Sequence, residues 1–316
     1  AGLNDRWLLG YLDYCCRDDY GAGLAQVSAW AGLHYFASRH GFHAPGEDDA
    51  DELDAVLTWP EGNAHLAALL GRRNADRAQT ASVLTRVTVG RHDVTLDVWR
   101  AAAMRSERWI ARQVVLSLPL FVAARLIDAP PAALSELAPR LRYAPWLVSN
   151  LQLRAPLLER VGAPPAWDNV IQASTTLGYV DAMHQSLRPV PGPTVLTHYW
   201  ALGGQSPGEL QAARHRLLND PWPIWAEAVI ADLSGVHPDL RDKLERIDLM
   251  RYGHAMCIPT PGLRGHPALA ALGRPQGRLH FAHADLSAYS VFEEAFTWGD
   301  AAGARAAAAL RGGRAT

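Results

Sequence analysis

The stretch Gly277-Arg-Leu-His-Phe-Ala-His-Ala-Asp285-Leu-Ser-Ala-Tyr-Ser290-Val-Phe-Glu-Glu-Ala-Phe-Thr-Trp-Gly299-Asp-Ala-Ala-Gly303 changes character twice. Arg278 to Ala282 is a short, mostly apolar run after a glycine, which predicts a buried strand. Asp285 to Ser290 is small and polar, a loop. From Val291 the spacing becomes helical: Phe292, Ala295, Phe296 and Gly299 fall at i, i+3, i+4 and i+7, and an alanine-rich run follows to Leu310. Ser290 stands at the expected N-cap, with Glu293 three residues on, as in a capping box. A strand thus ends near an acidic residue and feeds a helix start.

That arrangement has a chemical use. A helix N-terminus carries unpaired N–H groups and partial positive charge, which suit an electron-rich ring edge or a phosphate. A carboxylate just past the strand can accept hydrogen bonds from sugar hydroxyls. Strand, loop and helix in this order also occur with no ligand.

The stretch resembles the C-terminal FAD-binding segment of the flavin-containing amine oxidoreductases, which include monoamine and polyamine oxidases. Phe281, Ala282, Asp285, Ala295, Gly299, Ala301 and Ala302 follow the family pattern; His283 stands near its usual Gly, and Glu294 replaces its helix Gly. The resemblance implies that Asp285 holds the ribityl region and that the backbone at Phe292, beside Ser290, meets the flavin pyrimidine edge.

Working outward, the 316 residues are 49% hydrophobic, ample for two domains. A net charge of −2 gives no electrostatic case for nucleic acid. No apolar run reaches the length of a membrane span. Three cysteines, two of them adjacent (Cys15 and Cys16), make a disulfide framework unexpected, so a reducing, cytoplasmic setting is the default.

In chain order, residues 1–43 read as helical. Trp7, Leu8, Tyr11, Leu12 and Cys15 form one apolar face, and Leu24, Val27, Trp30, Ala31 and His34 another. Gly21-Ala-Gly23 has no preceding strand and no third Gly, which excludes a dinucleotide loop. His34, His40 and His43 lack the partners and spacing of a metal site. Residues 44–53 are an acidic, solvated loop. Trp59-Pro60-Glu61-Gly62 resembles the family's turn into a helix that crosses under the flavin.

Ala81 to Val89 and Asp93 to Trp99, joined by Gly90-Arg91-His92, predict a hairpin. Gln113 to Pro119 reads as a buried strand. The resemblance makes these a β-meander inserted in the nucleotide domain, with the Val87 backbone at the adenine and Pro119 closing the strand. Trp146 to Leu153 and Thr194 to Trp200 read as strands. Ser206 to Leu218 and Pro221 to Leu233 read as helices.

The family's strand that carries a flavin-facing Lys aligns with Gly178 to His184, where Ala182 takes the Lys position. Lys243, the one Lys of the chain, lies elsewhere. His184 would share a strand face with Ala182 if the strand persists, as a relay or as a structural His. Leu244 to Tyr252 reads as a strand, and Tyr252 and His254 are candidates for the wall facing the flavin. Cys257 is misplaced for covalent attachment, so the FAD is expected to be non-covalent. His280 and His283 point to opposite strand faces and do not chelate together; no metal is expected.

The expected fold is mixed α/β, α/β with α+β character: a two-domain, GR2-like FAD-binding fold whose N-terminal Rossmann βαβ unit, with its G-x-G-x-x-G, is missing from the chain. Residues 1–58 would be the helical part of a substrate domain, 59–127 the FAD-domain portion with the β-meander, 128–250 the substrate-binding domain and 251–316 the C-terminal FAD segment. The function implied is an FAD-dependent oxidoreductase that takes a hydride from a small organic substrate, such as an amine. The partner is a small molecule, with no nucleic acid and no membrane span; homodimerisation stays open. Two alternatives remain: a desaturase, isomerase or porphyrinogen oxidase of the same fold, and a non-catalytic binding protein derived from one.

Overall fold

The computed structural model describes residues 4–38, 59–160, 162, 166–186, 188 and 190–312; His40, His43 and the acidic loop 44–53 lie outside them. In chain order the elements are α1 (Arg6–Tyr20), α2 (Ala29–Ala37), α3 (Ala64–Gly71), β1 (Ser82–Val89), β2 (Val94–Arg100), β3 (Arg105–Ala111), β4 (Val114–Leu116), α4 (Leu120–Leu126) and α5 (Ala132–Leu137). Then come β5 (Tyr143–Leu153), β6 (Asp168–Asn169), β7 (Gly178–Asp181), β8 (Thr194–Ala201), α6 (Pro207–Asn219), α7 (Trp222–Ser234), α8 (Leu240–Lys243), β9 (Leu244–Cys257), α9 (Pro267–Leu272), β10 (Leu279–Phe281) and α10 (Phe292–Gly312). They fall into two compact units, 1–72 with 143–256 and 73–142 with 257–316.

The first unit is built on a five-stranded sheet in the order β6-β7-β8-β5-β9. Alternation along each strand divides its faces. Leu147, Leu151 and Leu153 of β5, Tyr179 of β7 and Leu196 of β8 pack with Leu217 of α6, Trp225, Val229 and Leu233 of α7, and Leu240 of α8. Burying each of these leucines contributes about 2 kcal/mol against leaving it in water. Gly178 pairs with Tyr199 at φ +88°, and a Cβ there would stand 1.9 Å from the Asn169 carbonyl oxygen. Only glycine lets β6 lie this close.

A buried polar network ties the segment before β7 to α7. The Ser174 hydroxyl donates to Asp232 Oδ1 (2.7 Å), and the Thr176 hydroxyl to Oδ2 (2.8 Å). His198 Nε2, on a fully buried side chain, lies 3.2 Å from the same Oδ2. Burial pushes the Asp232 carboxyl pKa up, but hydrogen bonds from His198, Ser174 and Thr176 outweigh it and leave the pKa below its usual value.

Several expectations need correction. α1 starts at the Asp5 cap and ends at left-handed Gly21. Its buried residues are Cys15, Cys16 and Tyr20, whereas Trp7 and Tyr11 are more than half exposed. The expected α1 face is therefore rotated. The strand through Ala182 and His184 stops at Asp181, because its side chain accepts the Met183 N–H (3.0 Å) and the Thr194 hydroxyl (2.6 Å) and starts a 3₁₀ turn over Ala182–Gln185. β9 runs on to Cys257, well past Tyr252.

The second unit holds a three-stranded meander, β1-β2-β3, and a parallel pair, β10-β4. The β1–β2 hairpin pairs Val89 with Val94 and Ser82 with Arg100, and Gly90 N–H donates to the Asp93 carbonyl (2.9 Å) across its turn. The core gathers Val87, Leu116, Leu120, Ala123, Ile127, Leu134, Leu137, Leu272, Leu279, Phe281 and Ala302.

Removing the carboxylate that gathers three side chains in the first unit should be costly. Asp232→Ala should lower the unfolding free energy by about 3 kcal/mol, since it leaves buried donors unpaired. The Asp232 pKa is depressed by folding, so its stabilisation is present above the unfolded carboxylate pKa and is lost as pH falls through the folded value. Urea unfolding at neutral pH and below about pH 4 should show a smaller acid-dependent loss in the variant than in the parent protein.

Candidate functional site

β4 and β10 run parallel, with Val114 opposite Leu279, Val115 opposite His280 and Leu116 opposite Phe281. Parallel strands in register end at the same edge, so the segments leaving them meet. One leads through Pro119 into α4; the other leads through His283 into a 3₁₀ turn over Ala284–Ser287. Pro119 occupies the α4 N-cap and has no side-chain acceptor to offer the helix. Asp285 supplies it: its Oδ2 accepts the Leu120 N–H at 2.9 Å, with the side chain 1% exposed. This satisfies one of the orphan donors of α4 and sets a carboxylate at the helix's positive end. His283 Nδ1 accepts the Asp285 N–H (3.1 Å) and fixes the turn.

The structure therefore brings Pro119 and Asp285 together. Ser290 corrects an expectation: α10 begins at Phe292, and the Ser290 hydroxyl accepts the Cys257 N–H (3.0 Å) instead of capping the helix. Phe292 opens α10 and stacks on Phe296 at 6.3 Å between ring centroids. Glu294 is turned to the Ser287 hydroxyl, which also accepts the Trp298 indole N–H (2.7 Å). Val87 is fully buried, and its carbonyl accepts the Asp128 N–H (3.0 Å) just beyond α4. Cys257 is 1% exposed; burial first, and then the nearby Asp285 charge, push its thiol pKa well up, so it is held as an unreactive thiol.

Asp285 and the start of α10 are the residues that would hold the sugar chain and ring edge of an FAD. Asp285 accepts from Leu120 on Oδ2, has Oδ1 3.2 Å from His283 Nδ1, and sits where two segments turn back from a strand edge. Hydroxyl groups are what such an acceptor takes. The first turn of α10 supplies N–H groups for a carbonyl edge.

His184, Tyr252 and His254 belong to the first unit. His184 Nδ1 lies 2.7 Å from the Asp181 carbonyl oxygen, and its ring packs on Trp167 at 5.1 Å. Tyr252 and His254 ride on β9, His254 edge-on to Tyr143 at 6.1 Å. Strand order places β8 and β5 between β7 and β9. β7 and β9 are therefore three strand spacings apart, about 14 Å, which keeps His184 away from the other two. Lys243 is held by Asp239 (2.6 Å) and by the Pro156 carbonyl.

Around Tyr199, which the sequence offers as one of several aromatics for a substrate wall, the structure adds polar neighbours. Asp168, Val180, Thr197 and Tyr199 share the sheet face opposite the α6–α7 core, following the pairings Asp168 with Val180 and Val180 with Thr197. Burial raises the Asp168 carboxyl pKa. Burial, followed by the charges of Asp168 and Asp18, raises the phenol pKa of Tyr199, and burial with Asp18 and Asp168 does the same for Tyr14. These residues come from three separate segments, and no spacing in the sequence announces them. A cavity of about 770 Å³ in this unit lies between α1 and the segment Val170–Ser174 and is lined by Trp7, Tyr11 and Tyr14, among others. None of the candidate catalytic or cofactor-binding residues from the sequence lines it. Among the described residues, no cluster of His, Cys, Asp or Glu could hold a metal ion, and no helix is long and apolar enough to cross a membrane.

Among solved structures, the chain is similar to cyclohexylamine oxidase from Brevibacterium oxydans IH-35A, with TM-score 0.62 and 16% identity over 94% of this chain and 64% of that one. It is similar to an engineered putrescine oxidase with redesigned cofactor binding, at TM-score 0.58 and 14% identity over 78% of this chain and 53% of that one. An Exiguobacterium sp. 255-15 protein assigned as a protoporphyrinogen oxidase gives TM-score 0.51 and 15% identity over 80% and 52%. The likeness is one of fold, and the chain spans about half to two thirds of the length of these proteins. No protein-family model and no curated protein sequence matches it.

The Asp285 carboxylate should be a structural as well as a chemical element of the second unit. Asp285→Ala should cost about 2 kcal/mol, through the uncapped α4 and the unpaired Leu120 N–H. Urea denaturation measures the loss, and hydrogen exchange should place it at the Leu120 amide.

Proposed function

We propose that the chain acts as an FAD-dependent oxidoreductase on a small organic substrate, in the manner of the amine oxidases whose fold it shares. The observation that carries this reading is the buried Asp285 carboxylate where β10 and β4 end together, followed by the start of α10. It is the same stretch whose residues resemble the flavin-binding segment, and it folds as a strand, a 3₁₀ turn and a helix.

FAD, when bound, supplies the hydride acceptor. The protein's own residues bind and orient. Asp285 accepts hydroxyls of the ribityl chain, the backbone at Phe292 offers N–H groups to the pyrimidine edge, and Pro119 and Val87 border the cofactor from α4 and β1. Cys257, buried with a raised thiol pKa, does not form a bond to the flavin, so the cofactor is held non-covalently. In the first unit, Asp168 and Asp18 with the phenols of Tyr14 and Tyr199 create negative potential beside aromatic faces, an environment that favours an ammonium. His184, Tyr252 and His254 are the further candidates for substrate contact.

One observation favours a second reading. Lys243 is bound in an ion pair with Asp239, and by the resemblance Ala182 takes the position of the family's flavin-facing Lys. A dehydrogenase, desaturase or porphyrinogen oxidase of the same fold, which passes electrons to an acceptor other than dioxygen, accommodates both facts. A substrate panel under anaerobic conditions separates the readings, because the true reductant bleaches the flavin without oxygen.

Equilibrium dialysis tests the cofactor site. FAD should bind, and Asp285→Asn, which keeps the shape and one acceptor oxygen, should weaken it at least about tenfold. Acid precipitation of the loaded protein should leave all the flavin in the supernatant; flavin retained in the pellet would contradict non-covalent binding.

A further inference from the structure

The cavity of about 770 Å³ in the first unit is walled on one side by α1, where Trp7, Tyr11 and Tyr14 follow at i, i+4 and i+7, and on the other by Val170, Ile171 and Ala173. Its volume suits a small molecule, and such sites are mostly apolar with a few placed polar groups. Trp7 is 56% exposed and Tyr11 53%, so two large aromatic rings on one helix face stand largely outside the core.

Both walls are held in place. Arg17 of α1 donates to the Thr175 carbonyl (2.8 Å), which ties the helix to the facing segment. From the other side, Asp232 of α7 takes the Ser174 and Thr176 hydroxyls, and the Ser174 oxygen accepts the Thr176 N–H (3.0 Å). Ala173 stands beside these ties at φ +64°, a left-handed conformation that disfavours any residue with a Cβ. It persists where the surroundings determine it, and here it shapes the cavity wall. The space is therefore built before a ligand enters, which lowers the ordering cost of binding.

The lining charges leave little for an ion. Asp13 is the one lining carboxylate: its Oδ1 accepts the Leu24 N–H (2.9 Å) and the Gln205 amide (2.6 Å), and its Oδ2 accepts Arg17 Nε (3.0 Å). Arg6 and Arg17 also line the cavity, Arg6 with its guanidinium 4.5 Å from the Trp7 ring centroid. An ammonium would thus meet two guanidinium groups and no free lining carboxylate. The Tyr14 hydroxyl forms no hydrogen bond among the described residues. Burial first, and then the charges of Asp18, Asp168 and Cys15, push its pKa up and outweigh Arg17, so it keeps its proton and sits in a field that repels anions. A donor hydroxyl between aromatic and aliphatic walls calls for a neutral acceptor on a flat ring.

We propose that this cavity binds an uncharged aromatic carbonyl compound of two or three fused rings, its ring against Trp7 and Tyr11 and its carbonyl oxygen accepting from the Tyr14 hydroxyl. The site uses neither Asp285 nor the start of α10, so it stands whether or not FAD binds.

Isothermal titration of the whole chain with 2-acetylnaphthalene tests it. The planar ketone should bind at least about tenfold more tightly than 2-acetyldecalin, its saturated counterpart, because stacking is lost in the latter. Neither 2-naphthoate nor 2-naphthylmethylammonium should displace it at equal concentration. Trp7→Ala should weaken binding about tenfold and Tyr14→Phe about fivefold. Trp7 is exposed in the first turn of α1 and Ala favours helix, so W7A retains the fold and keeps the test valid even if the Tyr14 variant does not fold. No binding of 2-acetylnaphthalene, equal binding of 2-acetyldecalin, displacement by either ion, or unchanged affinity in W7A would each overturn the proposal.

Discussion

One buried hydrogen bond, from the Leu120 N–H to the Asp285 carboxylate, joins segments 165 residues apart and sets the geometry on which the cofactor reading rests. The parallel pairing of β4 with β10 brings the two strand ends to one edge, but pairing alone does not say how the chain leaves that edge. Pro119 cannot cap α4 with a side chain, so the helix start depends on an acceptor from elsewhere. Asp285 meets that need because the His283 ring holds its turn. The residue that would hold a sugar hydroxyl is thus also the one that closes the core of the second unit.

The first unit answers to a similar constraint. Its sheet buries leucines on one face and leaves half-buried polar and aromatic groups on the other. Asp232 fixes the segment before β7 through Ser174 and Thr176, and Gly178 lets β6 come against β7. Asp168 reaches the face it shares with Tyr199 only because of that close approach. A sheet with one hydrophobic and one polar face can support two kinds of chemistry. Here Asp168 and the Tyr199 phenol lie on one side, and the buried Tyr179–His237 pair lies on the other.

Much of this was legible in the sequence where local chemistry and burial agree. The β1–β2 hairpin shows in its alternation and its Gly90 turn. α6 and α7 show in Ser206, which caps α6, and in the prolines at their starts. β10 and α10 show in the shift from an apolar run to helical spacing. Elements without a buried face were not legible. β3, Arg-Ser-Glu-Arg-Trp-Ile-Ala, is largely exposed and charged, so nothing in its pattern marks a strand. α1 carries Trp7 and Tyr11 outward, and periodicity alone could not tell which face is covered. Ser290 looked like a cap because its position suits one, but the Cys257 N–H, 33 residues away, takes its hydroxyl. His184 left the expected strand because the Asp181 side chain competes with the sheet for local backbone donors. Asp168 with Tyr14 and Tyr199 is a tertiary cluster with no sequence signature.

The central claim is that the edge formed by β4 and β10 is a flavin site. The most direct test is the visible absorbance spectrum of the protein expressed from the full reading frame that contains this chain, purified with FAD and then freed of excess cofactor. The account predicts the two-banded spectrum of bound oxidised flavin. A colourless protein, correctly folded by circular dichroism and still without flavin after FAD is added, would contradict it.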